Sequence, residues 1–238
     1  MNDMIAETIR GLKEYNYCIA AVHIEKSKKS LSREIQKAAK VSIIRSSPKT
    51  INPLYAARKV SELLLGGLKD IITTVANDKA RTIVYMEGDK CTFVPYIGKL
   101  IEPILQGKAD LTLAVRSSAG FSQFPKVQQF VERSINRYIS KKTGIHTDYL
   151  YGPRAFSPQI VSFFGEYKKN DWGIIMYPLI FAITKGYRLE PVIISGYPQP
   201  GYMKKYDIIM RSPPAHFAWR TIQNMAIVRA TNSALKNK

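Results

Sequence analysis

RTIVYMEGDKCTFVPYIGKLIEPILQGKADLTLAVRS, residues 81–117, decides the fold. Its opening run, 81–87, is β-branched and apolar, which reads as a buried strand, and 110–115 (DLTLAV) reads as another. Between them Ile97, Leu100, Ile101, Ile104 and Leu105 recur at i, i+3, i+4, i+7 and i+8. That spacing lines one face of a helix, with Pro95 acceptable near its first turn. Strand, helix and strand in this order form a crossover unit, and ligands of such sheets lie beyond the carboxyl ends of the strands. At that point stand Glu87-Gly88-Asp89: two carboxylates two residues apart, with Gly88 letting the backbone turn closely around a ligand. A pair of this kind can hold Mg²⁺ or Mn²⁺, which take one or two carboxylates and complete their shell with water and substrate phosphate. The plain alternative is that Asp89 starts a turn while Glu87 is solvated.

Working outward, 17–24 (YCIAAVHI), 41–45 (VSIIR) and 187–195 (YRLEPVIIS) read as further strands. Two more helical faces are expected, one from Leu54, Ala57, Val60 and Leu64, the other from Val127, Phe130, Val131, Ile135, Tyr138 and Ile139. Residues 196–210 (GYPQPGYMKKYDIIM) lack periodicity and read as a long loop of the kind that forms lids. From Pro214 onward a terminal helix is expected, with Phe217, Ile222, Met225, Ala226 and Val228 inward. The fold class is therefore α/β, a mostly parallel sheet flanked by helices, in a single domain spanning 1–238.

Composition agrees with a globular chain: 238 residues, 45% hydrophobic and 23% charged, with 14 Gly and 13 Pro. Only Cys18 and Cys91 are present, too few for a disulfide framework, and Cys91 reads as a small buried residue. The first residues carry no apolar signal core, and the longest apolar stretch, 173–184, falls short of the ~20 residues that span a bilayer. A cytoplasmic location follows as the expectation. Lys and Arg total 36 against 18 Asp and Glu, a net charge of +18, so the partner is expected to be an anion. Nucleic acid, an anionic membrane surface and phosphorylated small molecules all fit that charge, although no RNA-binding motif is visible. The three histidines, 23, 146 and 216, have no metal-binding spacing among themselves, and the phosphate-loop and nucleophile-elbow signatures are missing.

The run 83–117 resembles the middle of a family 2 glycosyltransferase of the GT-A fold: strand, acidic motif, helix and strand. The resemblance implies that Glu87-Gly88-Asp89 stands for the family's Asp-x-Asp motif. Asp89 and Glu87 would then hold the metal on a nucleotide-sugar donor, and Arg116 would follow the next strand as a donor-binding residue. The segment 146–157 is similar to the family's acceptor half through Asp148, Gly152 and Arg154. DWGIIMYPLIFAITKGYRLEPVIISG resembles the helix, Gly186-Tyr187 turn and strand that close the fold. Gly201-Tyr-Met-Lys204 is similar to a loop of polyprenyl-phosphate sugar transferases, with Met203 where they have Ser.

By this likeness residues 1–115 form the donor half, 116–212 the acceptor half and lid, and 213–238 a C-terminal helix. The likeness covers about residues 80–210. In the first 80 the family's opening motifs are not present, and Glu25, at the end of the first strand, is the substitute on the donor side. Asp171 is the candidate general base, with Trp172 beside it on the acceptor side; its other role is helix N-cap. Lys204 and Lys205 would fold over a phosphate, and His216, after the loop, would join the metal. The expected activity is transfer of a sugar from a nucleotide-sugar to a hydroxyl or to a polyprenyl or other phosphate, at an anionic membrane surface or in solution. The rivals are a binding protein that kept the scaffold without catalysis, and a nucleic-acid binder.

Overall fold

The computed structural model describes residues 19–25, 39–46, 81–86, 91–124, 126–195 and 213–237. Its strands are β1 (Ile19–Glu25), β2 (Ala39–Ser46), β3 (Ile83–Tyr85), β4 (Leu111–Arg116), β5 (Arg154–Phe156) and β6 (Leu189–Ile194). Its helices are α1 (Ile97–Leu105), α2 (Ser118–Ser122), α3 (Lys126–Thr143), α4 (Ser162–Glu166), α5 (Tyr177–Thr184) and α6 (Pro213–Lys236). Short 3-10 turns precede α1, α4 and α5. All five strands expected from the sequence are present, and strand and helix alternate as an α/β chain. The helix expected around 54–64 and the loop 196–210 lie outside the described residues.

β1 and β2 form a parallel pair. The other four strands form one sheet in the order β3-β5-β4-β6, with β4 and β6 parallel and β5 antiparallel to both its neighbours. This corrects the expectation of a mostly parallel sheet. The strand unread in the sequence is β5, three residues long and hidden in a segment punctuated by Gly152 and Pro153. It enters between β3 and β4 from the opposite direction.

Both faces of the central strands β4 and β5 are covered, while the edge strand β6 leaves Glu190, Pro191 and Ile193 exposed. Leu111 and Leu113 of β4 and Phe156 of β5 point to one face, where they pack with α3, α4, α5 and α6 through Ile139, Phe164, Leu179, Ile180 and Ile227. Phe156 meets Phe164 edge-on with ring centroids 5.4 Å apart. Ala114, Ala155 and Ile194 point the other way, onto Phe93, Ile97, Leu100 and Ile104 of α1 and its leading turn. The period-2 alternation of β4 thus sorts side chains between two cores. Burying each large apolar side chain contributes roughly 1.5–3 kcal/mol. Thr112, on the α1 face, satisfies its buried hydroxyl by donating to the Leu100 carbonyl at 2.7 Å.

The Gly186-Tyr187 turn closes α5 as the sequence indicates. Gly186 takes φ +83°, its N–H bonding the Ile183 carbonyl and that of Tyr187 the Ala182 carbonyl, so the last turn of α5 ends with its carbonyls satisfied.

Two helices present different faces from those their apolar periodicity suggests. In α3, Ile139 is buried and Ile135 and Tyr138 pack on the core, but Val127 and Phe130 face solvent while Gln128, Gln129 and Glu132 lie inside. In α6, Phe217, Ile222 and Met225 are exposed, and the inward face is Ala226, Ile227, Ala230, Thr231 and Ala234. Small side chains win in α6 because the helix approaches the 3-10 turn Trp172–Ile175 closely: a Cβ at Gly173 would stand 2.7 Å from the Ala230 Cβ and overlap the Tyr167 phenol. Gly173→Ala is therefore expected to cost about 2–3 kcal/mol by overpacking and to lower Tm by roughly 5–10 °C. Thermal melting followed by circular dichroism checks this.

Candidate functional site

β3 and β4 both run against β5, so they point the same way, and β6 runs with them. Their carboxyl ends share one edge of the sheet. Tyr85, the last residue of β3, is level with Arg154, which is level with Leu113; Arg116 is level with Ile194 at the end of β6. The chain therefore leaves β3 toward 87–89, leaves β4 after Arg116, enters β5 through 148–153 and leaves β6 toward 196–210, all on this edge. An edge of this kind, where several crossovers part, is where open α/β sheets bind ligands.

Arg116 dominates what is described there. Its Nε donates to Asp148 Oδ2 at 2.6 Å, and its Nη2 donates to Asp148 Oδ1 at 2.9 Å and to Glu132 Oε2 at 2.7 Å. The guanidinium stacks on Phe121, Phe124 and Tyr151, with ring centroids 4.5, 4.6 and 5.3 Å away. Each carboxylate has further donors: Asn136 Nδ2 and the Leu150 N–H to Asp148, Gln128 Nε2 to Glu132, with Arg220 3.7 Å from Glu132. Two arginines and two carboxylates thus form a charge-balanced cluster in which the buried ions are paired and hydrogen-bonded. Burial alone would raise the Asp148 pKa, but the charge and hydrogen bonds of Arg116, with Asn136 and Leu150, outweigh it and hold the carboxyl below its ordinary range. Burial likewise opposes the charge on Arg116, and the two carboxylates overcome it.

Arg154 is fully buried beneath this edge. It donates to the carbonyls of Gly152 at 2.9 Å, Ile175 at 2.6 Å and Tyr149 at 3.4 Å, and its guanidinium lies over Tyr85. It ties the segment entering β5 to the turn before α5. Asp171 caps that turn: Oδ1 accepts from the Gly173 N–H at 2.8 Å and the Tyr167 hydroxyl at 2.6 Å, and Oδ2 accepts from Arg229 at 3.2 Å. Burial, and next the Asp171 carboxylate, push the Tyr167 hydroxyl above its usual range. Trp172 and Gly152 line one narrow cleft of about 30 Å³ together with Glu132, Ile175, Arg220 and Ile227, with room for water-sized guests.

Of the residues singled out in the sequence, Arg116, Asp148, Gly152 and Arg154 gather around this edge, Trp172 lines the cleft with Gly152, and Asp171 caps the turn with its carboxylate engaged by Tyr167, Gly173 and Arg229. Glu87, Gly88, Asp89, Lys204 and Lys205, with the side chains of Glu25 and His216, lie outside the described residues. Among the described residues no group of three or more His, Cys, Asp or Glu could hold a metal ion. None of their helices is long and apolar enough to cross a membrane. Sequence reading missed Glu132 and Arg220. The available signal was Arg116 itself, since a cation ending a buried strand calls for a buried carboxylate, and Gln128, Gln129 and Glu132 share a helix face at i, i+1 and i+4. No protein-family model matches the chain, and no curated protein matches it.

Replacing Arg116 with Met leaves Glu132 and Asp148 buried around a neutral side chain, with an expected loss of about 3–5 kcal/mol. In the native chain the depressed Asp148 pKa contributes stability that is complete above the unfolded value of about 3.9 and is lost as pH falls through the lower folded value. Urea unfolding from pH 7 down into the acid range is expected to show this acid loss, and Arg116→Met to diminish it.

Proposed function

We propose that this chain is a GT-A-like glycosyltransferase that moves a sugar from a nucleotide-sugar to a hydroxyl or phosphate acceptor. The observation that carries the reading is the shared sheet edge: β3, β4 and β6 all end there, Arg116 closes β4, and the 148–154 group enters β5 there; in sequence the acidic motif follows β3 and the lysines follow β6. The order strand, helix, strand over 83–116, and the helix, glycine turn and strand over 177–194, agree with the resemblance. Asp148 and Glu132, the described carboxylates at the edge, are neutralised by Arg116 and do not fit as metal ligands. A divalent cation would rest on Asp89 and Glu87, where it would neutralise charge on a departing diphosphate.

Within this reading Arg116, Asp148 and Arg154 are positioning residues: they fix the turn on which Gly152 and Trp172 meet the acceptor. Asp171 takes the acceptor proton. As both base and cap, it is tested with Asp171→Asn, whose amide oxygen still accepts the Gly173 N–H. Nucleotide release from a panel of nucleotide-sugars with Mn²⁺ is expected to fall by about 10²-fold or more in Asp89→Asn and by about 10²–10⁴-fold in Asp171→Asn, with the melting temperature kept. Release by Asp89→Asn equal to that of the unaltered protein sinks the metal role. Loss of activity and Tm together in Asp171→Asn leaves Asp171 as a cap alone.

One observation favours a second reading, a binding protein without catalysis: the charged side chains described at the edge are engaged with one another. Calorimetry separates the two, because the enzyme gives heat with a nucleotide and metal and the bare scaffold gives none.

A further inference from the structure

Helix α3 reads KVQQFVERSINRYISKKT, and its inward side holds the helix's one acidic residue, Glu132. At 100° per residue, Lys126, Val127, Phe130, Arg133, Ser134, Arg137 and Lys141 fall on one stripe about 120° wide, and all seven are exposed. Phe130 is 73% exposed and Val127 53%. The stripe carries four cations and no anion, with two apolar side chains near its start. Burying Gln128, Gln129 and Glu132 around Arg116 forces this arrangement, since the same rotation that brings Glu132 inward carries Phe130 out.

A purely solvated helix face has no use for an exposed Phe beside an exposed Val. A nucleic-acid face would use the cations, but an aliphatic Val cannot stack on a base, and the Arg133 guanidinium already lies over Phe121 at 5.2 Å. Cations at headgroup level with apolar side chains reaching below them are the pattern of a helix lying in a membrane interface. We propose that the outer face of α3 seats the protein on an anionic lipid surface. Phe130 and Val127 enter the boundary between headgroups and acyl chains, and Lys126, Arg137 and Lys141 pair with lipid phosphates. This seating needs no nucleotide-sugar, so its test stands apart from that of the transferase reading.

The test is flotation of the full chain with vesicles of phosphatidylcholine alone or with about one part in three phosphatidylserine. Capture by the anionic vesicles, weakened by salt, is expected. Substituting Phe130→Ser with Val127→Ser keeps the charge and is expected to weaken partitioning about tenfold. Arg137→Glu with Lys141→Glu is expected to weaken it at least about twentyfold. The same charge change at the exposed Lys168 and Lys169, on another segment, is expected to cost under about threefold. Equal losses for the two charge reversals would show attraction by bulk charge and overturn the proposal. So would equal capture by neutral vesicles, or unchanged vesicle binding in the α3 variants, including the case where those variants lose RNA binding instead. Phe130→Trp gives an independent readout: its fluorescence is expected to shift to the blue on anionic vesicles, and no shift overturns the insertion.

Discussion

A guanidinium at the end of a buried strand must find negative charge, and the arrangement around the sheet edge follows from how Arg116 finds it. Asp148 comes from the segment leading into β5 and Glu132 from α3, so one cation joins three stretches of chain that no apolar contact alone would hold in register. Removing water from these ions is costly, and the cluster persists because every carboxylate oxygen has a donor and the two arginines balance the two acids. The aromatic rings of Phe121, Phe124 and Tyr151 close over the guanidinium.

That constraint explains where sequence reading succeeds and where it stops. The strands at 83–85, 111–116 and 189–194 and the helix at 97–105 are legible because each carries a local apolar pattern of its own, even though half of 189–194 is exposed at the sheet edge. β5 is not, because three residues between a Gly-Pro pair and a Ser-Pro pair carry too little pattern to mark a strand. Its place depends on pairing with partners some 40 and 70 residues earlier in the chain. The face of α3 is misread for a different reason: its apolar residues follow helical spacing, yet a buried charge elsewhere outranks them.

The candidate site divides in the same way. Asp148, Gly152 and Arg154 stand out through resemblance, and the geometry adds that the two charged ones hold backbone and each other's neighbours in place. Asp171 was legible as a helix cap, which the Gly173 N–H donating to its carboxylate forms. Glu132 was hidden because the spacing of Val127, Phe130 and Val131 assigns the inward face of α3 to them, although its pairing with Arg116 is among the shortest contacts of the cluster.

The position of β5 in the middle of the sheet also governs the order of assembly. β3 and β4 share no ladder with each other; each is bonded to β5. During synthesis these two ribbons therefore remain unjoined until the ribosome has released residue 156, and the face that α5 and α6 will cover stays bare until later still. Closure of such distant pairings is slow because the intervening chain loses freedom before contacts compensate. A three-residue segment is thus the keystone of the nascent sheet, and chaperones would meet this chain before that keystone is set.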